Sequence, residues 1–382
     1  MPGSTKFQRL DLHAVYNRQR TRVKTVAIAI PALHRPDLTA RCIAFLQKQT
    51  LPADEWEIVV VENEAHRGEI LPDPLPRNTR RIELAANEGT TGSINRAVAA
   101  TNSRYVLLLN NDVELEPDYL EKLVSALDAD PKLGFVTGKL LRATQRTHLD
   151  GAGDAMLMAG AGYRLGHLDR DDGQFDSPMP VLAGCGAAVL YRREAFVACG
   201  GLDPQFFAYL DDLDLALRAQ LMGYTGLYLP DAIAYHVGSA TLGEPLGPND
   251  RKGGGRRRPP LHPRVVELIT RNQIYLLTKN FPRAVYARLL PRIFVYRTLW
   301  MMFAIRNGDA GAYFRGFWAG LWRLSMRKAH REMMTKRRIS NTEFLERLRA
   351  SERQIWEWQQ LKSARERSGL LKAYFWLFGR HK

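Results

Sequence analysis

Residues 105–112 read YVLLLNND, five apolar residues that run directly into two amides and a carboxylate. A short unbroken apolar run is the pattern of a strand buried on both faces, as in parallel sheets covered by helices. Ligands of such sheets sit in the crevice beyond the carboxyl ends of the strands. Asp112 therefore stands where the phosphates of a nucleotide arrive. Its oxygens suit Mg²⁺ or Mn²⁺, hard cations that take few protein ligands. By itself, Asn110-Asn111-Asp112 fits equally well a plain turn before a helix, with Asp118 just beyond.

Outward from this strand the chain alternates. Val23–Ile30 (VKTVAIAI) is expected as a buried strand stopped by Pro31, and Arg41–Gln49 has helical spacing. Trp56–Val61 and Arg80–Leu84 continue as strands, and helices are expected near 91–100 and 117–127. Strand-helix alternation of this kind predicts an α/β fold with a mostly parallel central sheet. Residues 134–180 are rich in Gly and Asp and are expected to wrap over the sheet as loops and short strands. Val181–Tyr191 is apolar and strand-like, and Asp211–Met222 is helical with Leu213, Leu217 and Leu221 on one side. Leu227–Leu229 and Ile233–Tyr235 are short strand candidates around Pro230.

Charge divides the 382 residues more sharply than hydropathy does. Residues 1–250 carry 25 basic and 32 acidic side chains, whereas 251–382 carry 30 and 8, a net of +22. A strongly basic part calls for an anionic partner, either nucleic acid or an acidic membrane face. The expected organisation is an N-terminal extension (1–22), a catalytic domain (23–246), a Gly/Arg/Pro linker (247–263) and a basic helical region (264–382). Helices are expected there at 265–279, 283–306, 312–329 and 341–367. Leu289–Ile305 is apolar and aromatic but interrupted by Pro291, Arg292 and Arg297, which suits a helix lying in a membrane interface rather than crossing it. Ala373–Phe378 repeats that character. Arginines interleaved with Trp, Phe, Met and Leu suit an interface better than a phosphate track, so no nucleic acid is expected. Three scattered cysteines make no disulfide framework or zinc site, and 1–22 has no signal-peptide run, which points to a cytoplasmic setting.

Two further segments carry chemistry. Phe206–Leu215 (FFAYLDDLDL) sets Asp211 and Asp212 side by side behind an aromatic stretch, and like charges at that spacing push one pKa up, as a general base requires. Asp214 lies three residues past Asp211, on the same face of the expected helix. Capping and first-turn acids explain part of this cluster, but three acids exceed what a helix start needs. Pro230–His236 (PDAIAYH) ends a strand on a lone histidine, which gains weight only from its company.

In this order and spacing, the segments resemble glycosyltransferase family 2, the inverting enzymes with a GT-A nucleotide-sugar-binding fold, and within it the rhamnosyltransferase-like branch. The resemblance covers about residues 23–245. It places Pro31, at the end of the opening strand, and Glu62, in EIVVVENEA, on the donor side; the family often has Asp at the latter position. LAANEGTTGSINRAVAAT implies Asn87, Gly89, Gly92 and Asn95 near the nucleotide. Asn110, Asn111 and Asp112 occupy the Asp-x-Asp position, with Asn110 for the first acid, so the metal rests on Asp112. DGAGDAML, LGHLDRDDGQFD and AGCGAAVLYRREAF follow the acceptor side, implying roles there for Gly186, Tyr209 and Asp214. The resemblance makes Asp212, beside Asp211, the general base and His236 a further ligand of Mg²⁺ or Mn²⁺.

The implied function is transfer of a sugar, a deoxysugar such as rhamnose among the candidates, from a nucleotide-sugar donor to a lipid-linked saccharide in cell-envelope polysaccharide synthesis. The implied place is the cytoplasmic face of an anionic membrane, with peripheral attachment. A dinucleotide dehydrogenase is disfavoured because no Gly-x-Gly-x-x-Gly follows Val23–Ile30. Nucleotidyl transfer, or a non-catalytic sugar- or nucleotide-binding protein with a degenerate site, are the competing readings.

Overall fold

A computed structural model describes residues 23–238, 262–322, 324–363 and 368–379. The expected N-terminal extension, and all of the expected linker except residues 262 and 263, lie outside them. The first half is built on β1 (Lys24–Ala32), α1 (Pro36–Leu46), β2 (Trp56–Glu62), β3 (Thr79–Glu83), α2 (Gly89–Ala99) and β4 (Ser103–Leu109). Then come β5 (Val113–Leu115), α3 (Tyr119–Ala129), β6 (Leu133–Arg142), β7 (Gln145–Gly151), β8 (Asp154–Met156), β9 (Gly162–Arg164) and β10 (Met179–Val181). The sheet is completed by β11 (Ala188–Arg192) and, after α4 (Arg193–Ala198) and α5 (Asp211–Leu221), by β12 (Thr225–His236).

The sheet runs β10-β12-β6-β11-β4-β1-β2-β3, and only β10 and β11 oppose the other six strands of that path. It is thus mostly parallel, as expected. Strand interiors such as Ile28, Val60 and Leu107 are solvent-free because helices cover both faces.

Four expectations need correction. β1 continues through Pro31 to Ala32, pairing Pro31 with Val61. Pairing with β4 has by then ended at Ala29, so one edge of β1 holds no ladder for a missing N–H to break. Leu133–Arg142, expected in a loop-rich stretch, is a ten-residue strand of the central sheet. Its Gly138 is needed for close packing, since a Cβ there would lie 2.1 Å from the Ala232 carbonyl oxygen. Val181–Tyr191 divides into β10 and β11, with Gly184 and Gly186 in the turn between them. The two short strands around Pro230 are one strand, with a register shift between Leu229 and Ile233.

The basic part forms α6 (Pro263–Asn280), α7 (Arg283–Arg306), α8 (Ala310–Leu321), α9 (Leu324–Lys336), α10 (Asn341–Leu361) and α11 (Gly369–Phe378). The helix expected at 312–329 is two helices, α8 and α9. These helices share one hydrophobic core with the sheet: Tyr275, Phe281, Phe344 and Ile355 belong to the same cluster as Val59, Val106 and Val189. Polar contacts reinforce the join. Ser351 Oγ and Glu352 Oε2 accept the Met156 and Met158 N–H groups at 2.7 and 2.8 Å. The Arg347 guanidinium donates to the Gln220 and Tyr224 carbonyls.

At the centre of the join lies Asp214, which has no solvent contact. Arg218 Nη2 donates to its Oδ2 at 2.6 Å and Lys279 Nζ at 2.9 Å, while Asn280 Nδ2 donates to Oδ1 at 2.8 Å. Lys279 also reaches Asp203 at 2.7 Å. Asp214, expected on the acceptor side, therefore faces inward, because two cations from α5 and α6 take its charge.

On the outer side, Leu290, Phe294, Met302, Phe303 and Ile305 of α7, Phe314 and Trp318 of α8, and Trp376 of α11 are exposed. Trp300 and Met301 are half-buried instead: the Trp300 indole N–H donates to Thr270 Oγ1 at 2.9 Å, and both pack against the small cluster of Val266, Ala304 and Tyr313. Among the described residues no helix is long and apolar enough to cross a membrane.

Removing the buried anion strands its cations. Asp214→Ala should destabilise the fold by about 3–5 kcal/mol, the cost of breaking a buried pair from one side. Equilibrium denaturation checks this, and a loss under about 1 kcal/mol, the scale of a surface pair, would remove Asp214 from the centre of the join.

Candidate functional site

The carboxyl ends of β1, β2 and β4 open on one crevice. Asn110 and Asn111 are half-buried there, and the backbone N–H of Asn110 donates to the Ala187 carbonyl at 2.9 Å. One residue earlier, the Gly186 N–H donates to Asp212 Oδ2 at 3.1 Å. This short backbone bridge holds the end of β4 and the start of α5 on either side of residues 186–187. The approach at Gly186 is close, since an added Cβ would come 3.1 Å from the same Asp212 oxygen and press on it.

Beyond Asn111, Asp112 meets the end of β12. Its Oδ1 lies 3.3 Å from His236 Nε2, and its Oδ2 accepts the Gly238 N–H at 3.1 Å. His236 Nδ1 is 2.8 Å from Asp150 Oδ2, which also accepts from Arg164 Nη1 at 2.7 Å. Burial pulls the His236 imidazole down, but the Asp150 charge and hydrogen bonds to Asp112 and Asp150 outweigh it and push the ring up to about 9. Burial works against ionising Asp150, yet Arg164 and His236 hold it below the ordinary carboxylate range.

The donor set fits a small divalent cation. Two cis ligands of an octahedral ion at about 2.1 Å stand about 3 Å apart, close to the observed spacing of Asp112 and His236. Asp150 fixes the ring so that Nε2 faces Asp112, the usual second support of a metal-bound histidine. Among the described residues no group of three or more His, Cys, Asp or Glu side chains is placed to hold a metal ion. Mg²⁺ and Mn²⁺ sites completed by phosphate and water do not need one.

Asp211 and Asp212 differ in surroundings although they are adjacent. Asp211 is buried, and burial first, the Asp212 charge second, push it up to about 8. At neutral pH Asp211 therefore keeps its proton, whereas Asp212 is only half-buried. Asp154, which bridges Ala183 across from this pair, is likewise pushed up to about 7, mainly by burial and then by Asp212 and Asp150, with Arg164 pulling it down.

The loop ahead of the pair is strained. Phe207, Tyr209 and Leu210 all have left-handed backbone, with φ of 67°, 68° and 60°. For non-glycine residues that costs about 1–2 kcal/mol each, and such strain gathers at functional sites.

The expected donor-side residues divide into lining and holding. Asn87 Oδ1 accepts the Gly89 N–H at 2.8 Å and shapes the start of α2, while Gly89 (φ 71°) lets the Phe207 carbonyl approach. Gly92 keeps the turn clear of Glu88. Asn95, expected beside the nucleotide, spends both ends of its amide on the Leu202 backbone and holds the loop leading to Phe206. Glu62 is buried, its Oε1 accepting the Leu71 N–H at 3.1 Å; burial raises its pKa. Pro31 is half-buried near the end of β1, one residue before Ala32, whose carbonyl accepts the Asn63 N–H at 2.9 Å. A cleft of about 570 Å³ opens between the first turn of α1 and residues 68–72, and none of the expected site residues lines it. Sequence reasoning missed Asp150, Arg164 and Asp154; the two acids that bracket Asp150-Gly-Ala-Gly-Asp154 were the available signal.

Because Asp211 keeps its proton in the folded chain up to about 8 but loses it near 4 when unfolded, stability should fall as pH rises between those values. Asp211→Asn cannot ionise, so its stability relative to wild type should grow across that window, by at most about 1.4 kcal/mol per pH unit, and level off above it. Thermal melts from pH 4 to 9 measure this; a constant difference between the two proteins would mean Asp211 is ionised in the fold.

Comparison with known proteins bears on family and fold. The model of a family described as glycosyltransferase like family 2 matches residues 24–254. An N-acetylglucosaminyl-diphospho-decaprenol L-rhamnosyltransferase of Mycobacterium tuberculosis is 26% identical over 191 residues, 44% of this chain and 62% of that protein. The O-antigen biosynthesis protein RfbC of Myxococcus xanthus is 30% identical over 213 residues, 52% of this chain and 16% of that protein. The chain thus spans less than two thirds of the length of either relative. A crystal structure of GalNAc-T7 with UDP, GalNAc and Mn²⁺ superposes with a TM-score of 0.56 at 13% identity, covering 86% of this chain and 57% of that one, a likeness of fold. With the family model lying over the whole sheet and both acid-bearing ends of the crevice, the chain belongs to glycosyltransferase like family 2 and has the GT-A fold.

Proposed function

We propose that this chain is an inverting glycosyltransferase that moves a sugar from a nucleotide-sugar donor to a hydroxyl of a lipid-linked saccharide, in the synthesis of a cell-envelope polysaccharide. The observation that carries the reading is the unequal acid pair. Burial keeps Asp211 neutral, while its half-buried neighbour Asp212 accepts the Gly186 N–H at 3.1 Å. A base so placed takes the proton of an acceptor hydroxyl as the oxygen attacks the anomeric carbon, which is worth about 10²–10⁴-fold. Attack from the face opposite the leaving diphosphate inverts the anomeric centre.

Charge on the departing diphosphate gathers at the other side, by Asp112 and His236. These two residues would hold Mg²⁺ or Mn²⁺, which supplies charge neutralisation for the diphosphate when bound. Asp150 keeps the His236 ring turned toward Asp112, and Asn87, Gly89 and Glu62 shape the donor side. The mycobacterial relative is by name an L-rhamnosyltransferase acting on a lipid-linked N-acetylglucosamine, which supports that acceptor class and a deoxysugar donor.

A lipid-linked acceptor requires the enzyme at a bilayer, and exposed apolar side chains of the basic helices would supply the contact. Phe294, Trp322 and Trp376 are 73%, 79% and 84% exposed, on a region with 30 basic and 8 acidic residues. Aromatic side chains in the interface and basic residues over anionic headgroups, each of the latter worth about 1 kcal/mol, suffice for peripheral attachment at the cytoplasmic face.

Two experiments test the reading. With UDP-, dTDP- and GDP-sugars as donors and short-chain polyprenyl-diphospho-N-acetylglucosamine as acceptor, Asp212→Asn should lower kcat by about 10²–10⁴ while donor binding by calorimetry persists. Near-normal transfer by that variant would exclude Asp212 as the base. For the membrane, the triple variant Phe294→Glu, Trp322→Glu, Trp376→Glu should stay in solution under conditions where wild type floats with anionic liposomes, and 0.5 M salt should weaken wild-type flotation. Equal flotation of both proteins would take these side chains out of membrane contact.

A further inference from the structure

The strained loop that leads into α5 is held from outside the segment matched by the family model. Asn272 of α6 is fully buried, and its Nδ2 faces three carbonyl oxygens, those of Phe206, Ala208 and Tyr209, at 3.0, 2.9 and 2.8 Å. Its orientation is set by its neighbour: Arg271 Nε donates to Asn272 Oδ1 at 2.9 Å, so the amide nitrogen, not the oxygen, meets the loop. Arg271 Nη2 adds bonds to the Phe206 and Gln205 carbonyls at 2.8 and 3.2 Å. From the other side the Phe207 carbonyl rests against Gly89, where a Cβ would lie 2.4 Å from it, and faces the Thr91 N–H at 3.4 Å.

The loop is thus held between the donor segment and α6 while three of its residues keep left-handed backbone. Hydrogen bonds to its carbonyls are what make that shape the stable one, since the residues themselves disfavour it. Leu210, the last of the three, is the residue from which α5 starts, and Asp212 is two residues further on. Relaxation of the loop into right-handed wells would turn the first turn of α5 and carry Asp212 away from Gly186. A displacement of about 1 Å at a reacting group costs about 10²-fold.

We propose that Asn272, oriented by Arg271, is a positioning residue for the catalytic base, so that the C-terminal helices complete the site. The proposal rests on the reading of Asp212 as that base. It acts through backbone geometry and touches neither substrate.

The test uses the full chain as wild type, Asn272→Ala, Asn272→Asp and Arg271→Ala. Asn272→Asp keeps the volume but sets an oxygen against three carbonyl oxygens. Hydrogen–deuterium exchange of peptides covering 205–213 is read beside kcat, donor KM and calorimetric binding of nucleoside diphosphate with Mn²⁺, in the donor and acceptor assay above. The expected result is faster exchange confined to 205–213, kcat down at least tenfold in Asn272→Ala and about 10²-fold in Asn272→Asp, and donor KM within twofold of wild type. Arg271→Ala, which leaves the buried amide in place, should show the same pattern more weakly and serves if the Asn272 variants do not fold. Unchanged 205–213 exchange with wild-type kcat in the folded variants overturns the clamp and leaves the functional reading standing. So does exchange that rises throughout the chain while kcat falls and donor KM rises with it, the mark of a merely structural residue. Wild type that transfers no sugar from any donor overturns the functional reading and the role for Asn272 with it.

Discussion

Asp214 can hold a charge without solvent only because Arg218, Lys279 and Asn280 all turn to it. A lone buried carboxylate costs several kcal/mol, and the two cations facing it would cost as much if it were absent. The network therefore forms as a set or not at all. Its members come from α5, which carries the acid pair, and from α6, the first of the basic helices. Without α6, α5 would bury the Asp214 carboxylate with Lys279 and Asn280 both missing. The strongly basic part of the chain is in this sense a wall of the crevice as well as a surface.

That wall explains how two adjacent acids acquire different characters. Asp211 is buried, so desolvation keeps its proton, while Asp212 is half-buried and accepts the Gly186 N–H. Electrostatics across the crevice is arranged in the same way. His236 lies between the carboxylates of Asp112 and Asp150, and Arg164 balances Asp150 from behind. Each charged group that faces the opening is backed by an opposite charge or a hydrogen-bond donor within the fold.

How much of this is legible in the sequence depends on whether the signal is local. β2 and β4 are unbroken apolar runs, so their place in a covered sheet follows from their own residues. β6 is not legible in this way, because Gly134, Gly138 and Lys139 interrupt the pattern, and the reason for Gly138 lies in β12. In the site, Asp112, Asp212 and His236 stand out as polar residues at element ends. Asp150 does not, since its importance depends on a partner 86 residues away. Motif letters also do not separate lining from holding: Asn95 and Asp214 sit in the right segments but spend their polar groups inside the fold. In α7 helical spacing is plain, but apolar residues on both sides conceal which one faces out, and so Phe294 is exposed while Trp300 binds Thr270.

The grip of Asn272 falls on carbonyl oxygens alone. Every amino acid supplies that group, so the grip places no demand on which side chains occupy positions 206, 208 and 209. Phe206 is nonetheless fixed by packing, fully buried with its ring edge-on to Tyr275, so only 208 and 209 are left for side-chain change while the loop keeps its path. An engineer wishing to change substrate preference would thus find those two positions more permissive than 206 or 272. A library randomised over 208 and 209 would retain folded members, whereas one that also varied a residue 63 positions downstream of Tyr209 would lose the frame on which the rest is displayed.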